Sequence, residues 1–295
     1  ASLRLDYQRH YDPDVFRSLD LSFNSFFMTE RFFAFGLNGS LQPVEGRDYY
    51  EPRTPDFSAY YSEPEHYSVG GFISTDYRRD FAIDINTTYT EFNEPERYDL
   101  QFGLEPRVRV SPKMFFILNT SYNYRSSDVG YISPDQQSKG YATLKDEDIV
   151  FGRRDRHTTN IVFSGRYVFS ARLSLELRIR HYWSRVRYQN FHLLGEEGHL
   201  LQTDYTGRDE EGRKLHDLRF NSYATNLVLK WRFAPGSDLI FVWKNSFEDE
   251  YTYPPAAGFW QDLDRSIGHP KDNLLSLKAI FYLDYYTFPG KREVL

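Results

Sequence analysis

The sequence predicts an all-β fold, an antiparallel transmembrane β-barrel of the outer-membrane type. We count about 12 strands in these 295 residues, with room for them to be part of a larger barrel. Three observations predict it. The first is residues 172–188, where Leu173, Leu175, Leu177 and Ile179 alternate with Arg172, Ser174, Glu176, Arg178 and Arg180. Side chains on a strand alternate between faces, whereas a helix would need apolar positions at three- and four-residue steps. The second is length: this alternation outlasts the roughly five or six residues of a soluble strand and reaches the roughly 9–11 of a tilted membrane strand. Tyr182 and Trp183 follow the aliphatic run, where an aromatic girdle would stand. The third is that short and long connections alternate along the chain, as periplasmic turns and external loops do in such barrels.

Each strand is justified by the same period of two. The first spans residues 3–11 and turns at Asp12-Pro13-Asp14. Leu19, Leu21 and Phe23 mark the second, and Phe33, Phe35, Leu37 and Leu41 the third. A long loop at about 42–66 follows, rich in Pro, Tyr and acidic residues. The fourth strand carries Tyr67, Val69, Gly71 and Ile73, and the fifth Phe81, Ile83, Ile85, Thr87 and Tyr89. In the sixth, Tyr98, Leu100, Phe102, Leu104 and Val108 oppose Asp99, Gln101, Glu105, Arg107 and Arg109. Pro106 sits on its apolar row, which predicts a bulge or a register change, because proline cannot donate to a ladder. Met114, Phe116, Leu118, Thr120, Tyr122 and Tyr124 mark the seventh. A long loop spans about 126–157, and Ile161, Phe163, Tyr167 and Phe169 mark the eighth. The ninth is the strand described first. Loops at about 189–217 and 248–272 then separate it from the tenth (Leu227, Leu229, Trp231, Phe233), the eleventh (Leu239, Phe241, Trp243) and the twelfth (Leu275, Leu277, Ala279, Phe281, Leu283). All 295 residues are read as one domain.

Composition narrows the function classes. Aromatics make up 18% of the chain, with 24 Tyr and 25 Phe, which favours strands and boundaries between water and an apolar phase. The mean hydropathy of -0.64 is compatible with a barrel, because only alternate residues meet lipid. The absence of cysteine excludes disulfides, thiolate catalysis and zinc–thiolate sites. A charge of -6, from 36 basic and 42 acidic residues, is not the clustered basic excess of a nucleic-acid binder. Ala1 leads straight into the first alternating strand, so we expect a mature or truncated chain with no signal peptide.

Several segments carry a family resemblance. Asp48-Tyr49-Tyr50-Glu51-Pro52-Arg53, Gly71-Phe72-Ile73-Ser74-Thr75-Asp76-Tyr77-Arg78-Arg79, Arg180-His181-Tyr182-Trp183-Ser184 and Phe233-Ala234-Pro235-Gly236-Ser237 resemble a family of bacterial outer-membrane proteins of unknown function, the DUF5916 type. The match is to the C-terminal β-barrel portion and covers most of the chain. The resemblance implies an N-terminal carbohydrate-binding-like domain, and we expect this chain to lack that domain and the earliest barrel strands. It implies no catalytic residues.

Two groups of residues are candidate sites. Arg107, Arg109, Arg125, Glu176, Arg178 and Arg180 fall on the enclosed rows and are expected to line a lumen. They form either a basic zone that favours anions or a mixed-charge network with Asp84, Asp99 and Glu105. In the loops, Tyr50, Tyr60, Tyr61, Tyr253 and Trp260 stand beside carboxylates. They could offer flat faces to a surface glycan or peptide, or pack the loops over the rim. The eight histidines show no metal spacing, and His181 reads as an interfacial residue beside Trp183. Ser184 and His181 point to opposite faces of one strand, so no hydrolase is inferred. No phosphate loop or dinucleotide fingerprint occurs. The expectation is therefore a bacterial outer-membrane protein with no catalytic activity and no cofactor. Its partners would be outer-membrane lipid and other envelope proteins or a surface ligand. Its role would be transport, surface binding or a structural part of an envelope complex. The alternative is a soluble or periplasmic all-β carbohydrate-binding protein.

Overall fold

The computed structural model describes residues 1–12, 14–132, 148–252, 258–269 and 271–283. Pro13 of the first expected turn and Tyr253 of the candidate loop residues lie outside them. Fourteen strands form one antiparallel sheet. Its main path is β1 (Ser2–His10), β2 (Val15–Asn24), β4 (Ala34–Gln42), β7 (His66–Ser74), β8 (Phe81–Phe92), β9 (Tyr98–Ser111), β10 (Met114–Tyr131), β11 (Val150–Ser170), β12 (Leu173–Leu194), β14 (Leu218–Ala234), β15 (Ser237–Thr252) and β16 (Asp272–Ile280). Every member pairs with the one before it on this path, so the sheet is a meander built from the 12 expected strands. The short β3 (Phe27–Met28) pairs with β4 and β13 (Leu200–Gln202) with β12, while β5 (Gly46–Asp48) and β6 (Tyr61–Glu63) form a separate ribbon. Among the described residues β1 and β16 each have one neighbour, and the sheet is open between them.

The pairing registers sort the side chains. Residues directly opposite in an antiparallel pair share a face. Following Arg107↔Ile117↔Ser164↔Arg178↔Asn226↔Lys244 through the ladders defines a polar face. The neighbouring row, Val108↔Phe116↔Gly165↔Leu177↔Leu227↔Trp243↔Leu275, defines an apolar one. Among the described residues no second layer covers most of that apolar face. Leu5, Leu37 and Leu277 are 68%, 62% and 67% exposed. The tight return at Pro235-Gly236 uses glycine at φ 72°, a conformation that costs L-residues about 1 kcal/mol or more.

Two expectations change. Pro106 causes neither a bulge nor a slip. Ile83↔Pro106 pairs normally on the β8 side, and on the β10 side the register of Ile117↔Arg107 is the same at Thr120↔Leu104, with the ladder interrupted between them. Proline withholds one donor, and the flanking pairs hold the strand in place. The register shift on that side lies instead between Met114 and Phe115. Secondly, the long loops are shorter than expected. The loop at 126–157 gives up both ends, because β10 continues to Tyr131 and β11 starts at Val150. The loop at 189–217 loses its start to β12 and contains β13, and the loop at 42–66 contains β5 and β6. The loop at 248–272 loses residues 248–252 to β15 and holds α1 (Phe259–Gly268). At 22 residues, β12 is about twice as long as a tilted membrane crossing requires. Its upper half has polar groups on both faces, so backbone pairing continues where alternation of hydrophobicity does not.

The best-buried apolar residues sit at this loop end. Ile132, Val150, Phe191 and Tyr205 form one cluster, and Tyr61, Val129 and Phe151 another. No helix among the described residues is long and apolar enough to cross a membrane, which leaves open a crossing by strands.

Candidate functional site

The polar face brings the expected lumen residues to one side, three of them as paired charges. Arg107 bonds Glu105 and lies 3.4 Å from Asp84, with its guanidinium 4.3 Å from the centre of the Tyr77 ring. Arg125 is held between Asp99 at 3.2 Å and Asp128 at 3.7 Å. Glu176 meets Arg166 at 3.4 Å, and both are more than half exposed, a geometry worth about 0–1 kcal/mol. Arg109 is exposed and reaches only the Tyr77 carbonyl, at 3.5 Å. Arg180 donates to Asn160 at 3.1 Å. Arg178 is exposed on the same face as Ser164 and Asn226. The six residues therefore form no ring of one sign. Arg178 and Arg180 are exposed cations in the middle of β12, Arg109 is an exposed cation near the end of β9, and Arg107, Arg125 and Glu176 are paired with opposite charges.

Higher on the same face, Arg154 bonds both Asp128 at 3.1 Å and the Tyr188 hydroxyl at 3.0 Å. This extends the Arg125 network beyond the apolar rows. Nothing local in the sequence marks it, because the β-bulge between Arg125 and Asp128 breaks the alternation there.

The loop candidates do not form one site. Tyr50 is half exposed and packs on Phe57 and His10, while Tyr60 packs on Tyr49 with Arg47 over its ring at 4.9 Å. Tyr61 is core. It stacks on Phe151, accepts a 2.7 Å hydrogen bond from Arg97, and burial pushes its hydroxyl up to about 12. Arg97 is itself buried and shares Glu94 with Arg153, each at 2.8 Å. Burial alone would raise the Glu94 carboxyl, but hydrogen bonds from Arg153 and Arg97 outweigh it and hold the group below its ordinary value. These contacts tie the segment after β4 to the ends of β1, β9 and β11, so it packs over the loop end of the sheet. In the 195–217 loop, Tyr205 and His216 are buried and 2.6 Å apart. Burial lowers His216 to about 4 and raises Tyr205 to about 12.

Trp260 lies elsewhere, on α1, which packs against the apolar side of the sheet above its aliphatic rows. Four residues of that face hold the helix. Trp183 Nε1 donates to Asp262 Oδ2 at 2.9 Å, and Arg219 Nε lies 3.3 Å from the same oxygen. Asn221 Nδ2 donates to the Asp262 carbonyl at 3.0 Å and to Ser266 Oγ at 2.8 Å. His181 shares a 2.9 Å hydrogen bond with Asn221 and packs against Phe259. His181 is thus covered by the helix and is not an open interfacial residue. Ser184, on the opposite face, is paired with Thr158 at 3.3 Å. No group of three or more His, Asp and Glu side chains among the described residues is arranged to hold a metal ion.

Fold and sites define a class: an all-β protein built on one large antiparallel meander, with one face charged and the other apolar and largely uncovered. Within that class, the chain belongs to the family described as a domain of unknown function, DUF5916, whose pattern matches residues 1–291. No curated protein matches it. Among solved structures it is similar to "Copper transporter OprC", at 13% identity and a TM-score of 0.49, over 94% of this chain and 40% of that one. The chain thus spans about two fifths of the length of that transporter.

Proposed function

We propose that this chain is the wall of a bacterial outer-membrane β-barrel of the transport type, its apolar face against lipid and its charged face toward a solvated interior. The observation that carries this reading is the uncovered apolar face, which runs from Leu3 in β1 to Leu277 in β16. Soluble monomers rarely expose contiguous apolar patches beyond a few hundred Å², whereas a barrel needs an outward apolar band about 25 Å tall. The open ladders of β1 and β16 fit the same reading if they are closed by each other or by further strands, since lipid does not tolerate unpaired edges. Exposed Arg178 and Arg180, at the level of that band but on the other face, require water there.

The test uses two substitutions on β14. Leu227 shares the apolar face with Leu177 and Trp243, near the middle of the apolar rows, and Asn226 shares the polar face with Arg178 and Lys244. Leu227→Arg is expected to cost about 2–4 kcal/mol of folding into lipid vesicles, as charges do at the bilayer midplane, and Asn226→Arg close to nothing. The heat-modifiable gel band reports the folded fraction. Equal effects of the two, or release of the protein from membranes by high salt without detergent, would refute the membrane reading. Planar-bilayer recording tests transport separately: a folded protein with no conductance and no solute uptake would remove that role and leave surface binding.

A further inference from the structure

We propose that α1 is an interfacial membrane helix, clamped to the outside of the wall, with Trp260, Leu263 and Ile267 seated at the boundary between lipid headgroups and acyl chains. This rests on the membrane reading above and adds a specific contact to it. The helix is inside out by the standards of a water-facing element. Its wall side carries Asp262 and Ser266, both fully buried, while Trp260 and Ile267 are 77% and 62% exposed. A helix on a soluble domain turns its apolar stripe inward and its carboxylates outward.

The arrangement around the helix axis is specific. At about 100° per residue, Leu263, Ile267 and Trp260 fall within an arc of about 60°. Asp264 and Gln261 fall on the other outward flank. An apolar flank beside a polar one, both turned away from the protein, is what a helix lying in the membrane plane needs.

Height agrees. From Leu173 to Trp183 the chain climbs about 33 Å along β12 at about 3.3 Å per residue, and a tilt of about 40° leaves about 25 Å of vertical rise, the thickness of the apolar band. Trp183 is the residue that α1 grips. The helix therefore stands where the band ends, directly above Leu175, Leu177 and Ile179 on the same face. There it covers an outward polar row, Arg219, Asn221 and His181, that would otherwise meet lipid. After the helix, His269 stacks on Phe247, and Lys271 sits 4.6 Å from the centre of the Tyr223 ring, extending the cover across β14 and β15. Continuity with the apolar face selects the bilayer as the occupant over a second protein.

The chain has no cysteine, so single-cysteine variants can carry a fluorescent label at one place. We would compare Ile267→Cys, Asp264→Cys and Leu227→Cys in the full chain, reconstituted into phosphatidylcholine vesicles with bromine placed shallow or deep in the acyl chains. The expected result is loss of emission at residue 267 with shallow bromines, at 227 with deep ones, and at 264 with aqueous iodide. Quenching at 227 by bromolipid but at 267 only by iodide would overturn the interfacial helix and leave the barrel intact. If 267 responded to neither quencher, a protein surface would cover it, and the proposal would again fail. Absence of bromolipid quenching at 227 would remove the membrane reading and this inference with it.

Discussion

Replacing Asp262 with asparagine should detach α1 from the sheet. Asp262 is fully buried, and its Oδ2 receives both the Trp183 indole N–H and the charge of Arg219, whose side chain is also fully buried. Beyond that carboxylate, the Arg219 guanidinium has the face of Tyr251, 4.4 Å away. Removing the carboxylate charge leaves a cation without compensation in a closed site. Losing one partner of a buried pair typically costs about 3–5 kcal/mol, and the weakening of the indole hydrogen bond from a charged to a neutral acceptor belongs within that figure. The helix's other ties to the sheet are the two Asn221 hydrogen bonds, Phe259 against His181 and Trp183, and Arg265 beside Tyr251. The helix is 10 residues long, and its N-cap is glycine, so its own helical stability is small.

The decisive measurement is a double-mutant cycle read at the helix itself, by hydrogen exchange of residues 259–268 and by protease cleavage between 252 and 271. Asp262→Asn alone should bring exchange there close to that of an unstructured segment, while the β10–β12 amides keep their protection. Arg219→Met alone leaves a buried carboxylate and should behave similarly. The double variant should recover much of the loss, because neither charge is then stranded. If Asp262→Asn changed helix protection by less than about 1 kcal/mol, or if the double variant were as loose as the sum of the singles, the clamp would not be electrostatic.

Two further outcomes follow from the loop end. His216 is held at about 4 by burial, below the 6.5 of an unfolded histidine. Between these two values the unfolded loop takes up a proton that the folded loop refuses, so stability is constant above pH 6.5 and falls as pH drops toward 4. The loss should approach about 3 kcal/mol, seen as protease cleavage within 195–217 that rises with acidity in the parent and loses this dependence in His216→Gln. Glu94→Ala strands buried Arg97 and half-buried Arg153 together. It should cost the 43–65 segment about 2–3 kcal/mol, measured by its exchange rate, with little change for Glu96→Ala on the same turn.

The twelve strands of the main path were legible because the apolar and polar faces contrast within each of them. In β12, Leu175, Leu177 and Ile179 against Glu176, Arg178 and Arg180 leave no helical alternative. The same chemistry hid the strand ends. Beyond Arg125 and before Arg156 the chain reads Ser-Ser-Asp-Val-Gly and Gly-Arg-Arg-Asp, polar on both faces, while sixteen ladder pairs join β10 to β11 across the whole length. Position 106 misled for a different reason: the proline rule counts a missing donor, and here one interrupted stretch of ladder is the entire consequence. Parity alone placed the charged candidates on one shared face. Their pairing was not visible, since Arg107 finds Asp84 and Arg154 finds Asp128 only through register across neighbouring strands. Tyr61 and Trp260 read alike as loop aromatics, yet one is core and the other an exposed helix residue. Only the third dimension separates them.

On the membrane reading proposed above, the helix also accounts for the polar residues His181, Asn221 and Arg219 on the apolar face of the sheet. A strand that crosses a membrane and then continues into water must change the chemistry of its outward row somewhere, and on β12 and β14 the change falls at His181 and Asn221, with Arg219 just beyond. Left bare at that height, those groups would sit against lipid, where an uncompensated arginine costs several kcal/mol near the midplane and less toward the boundary. Placed under α1, they gain Asp262, the Asp262 carbonyl and Ser266 as partners and present Leu263 and Ile267 in their stead. The polar patch and the inverted helix are each unfavourable alone, and together they bring the Arg219 charge to within 3.3 Å of the Asp262 carboxylate and give Asn221 two acceptors. A variant that loses one should therefore be tolerated best when it loses the other as well.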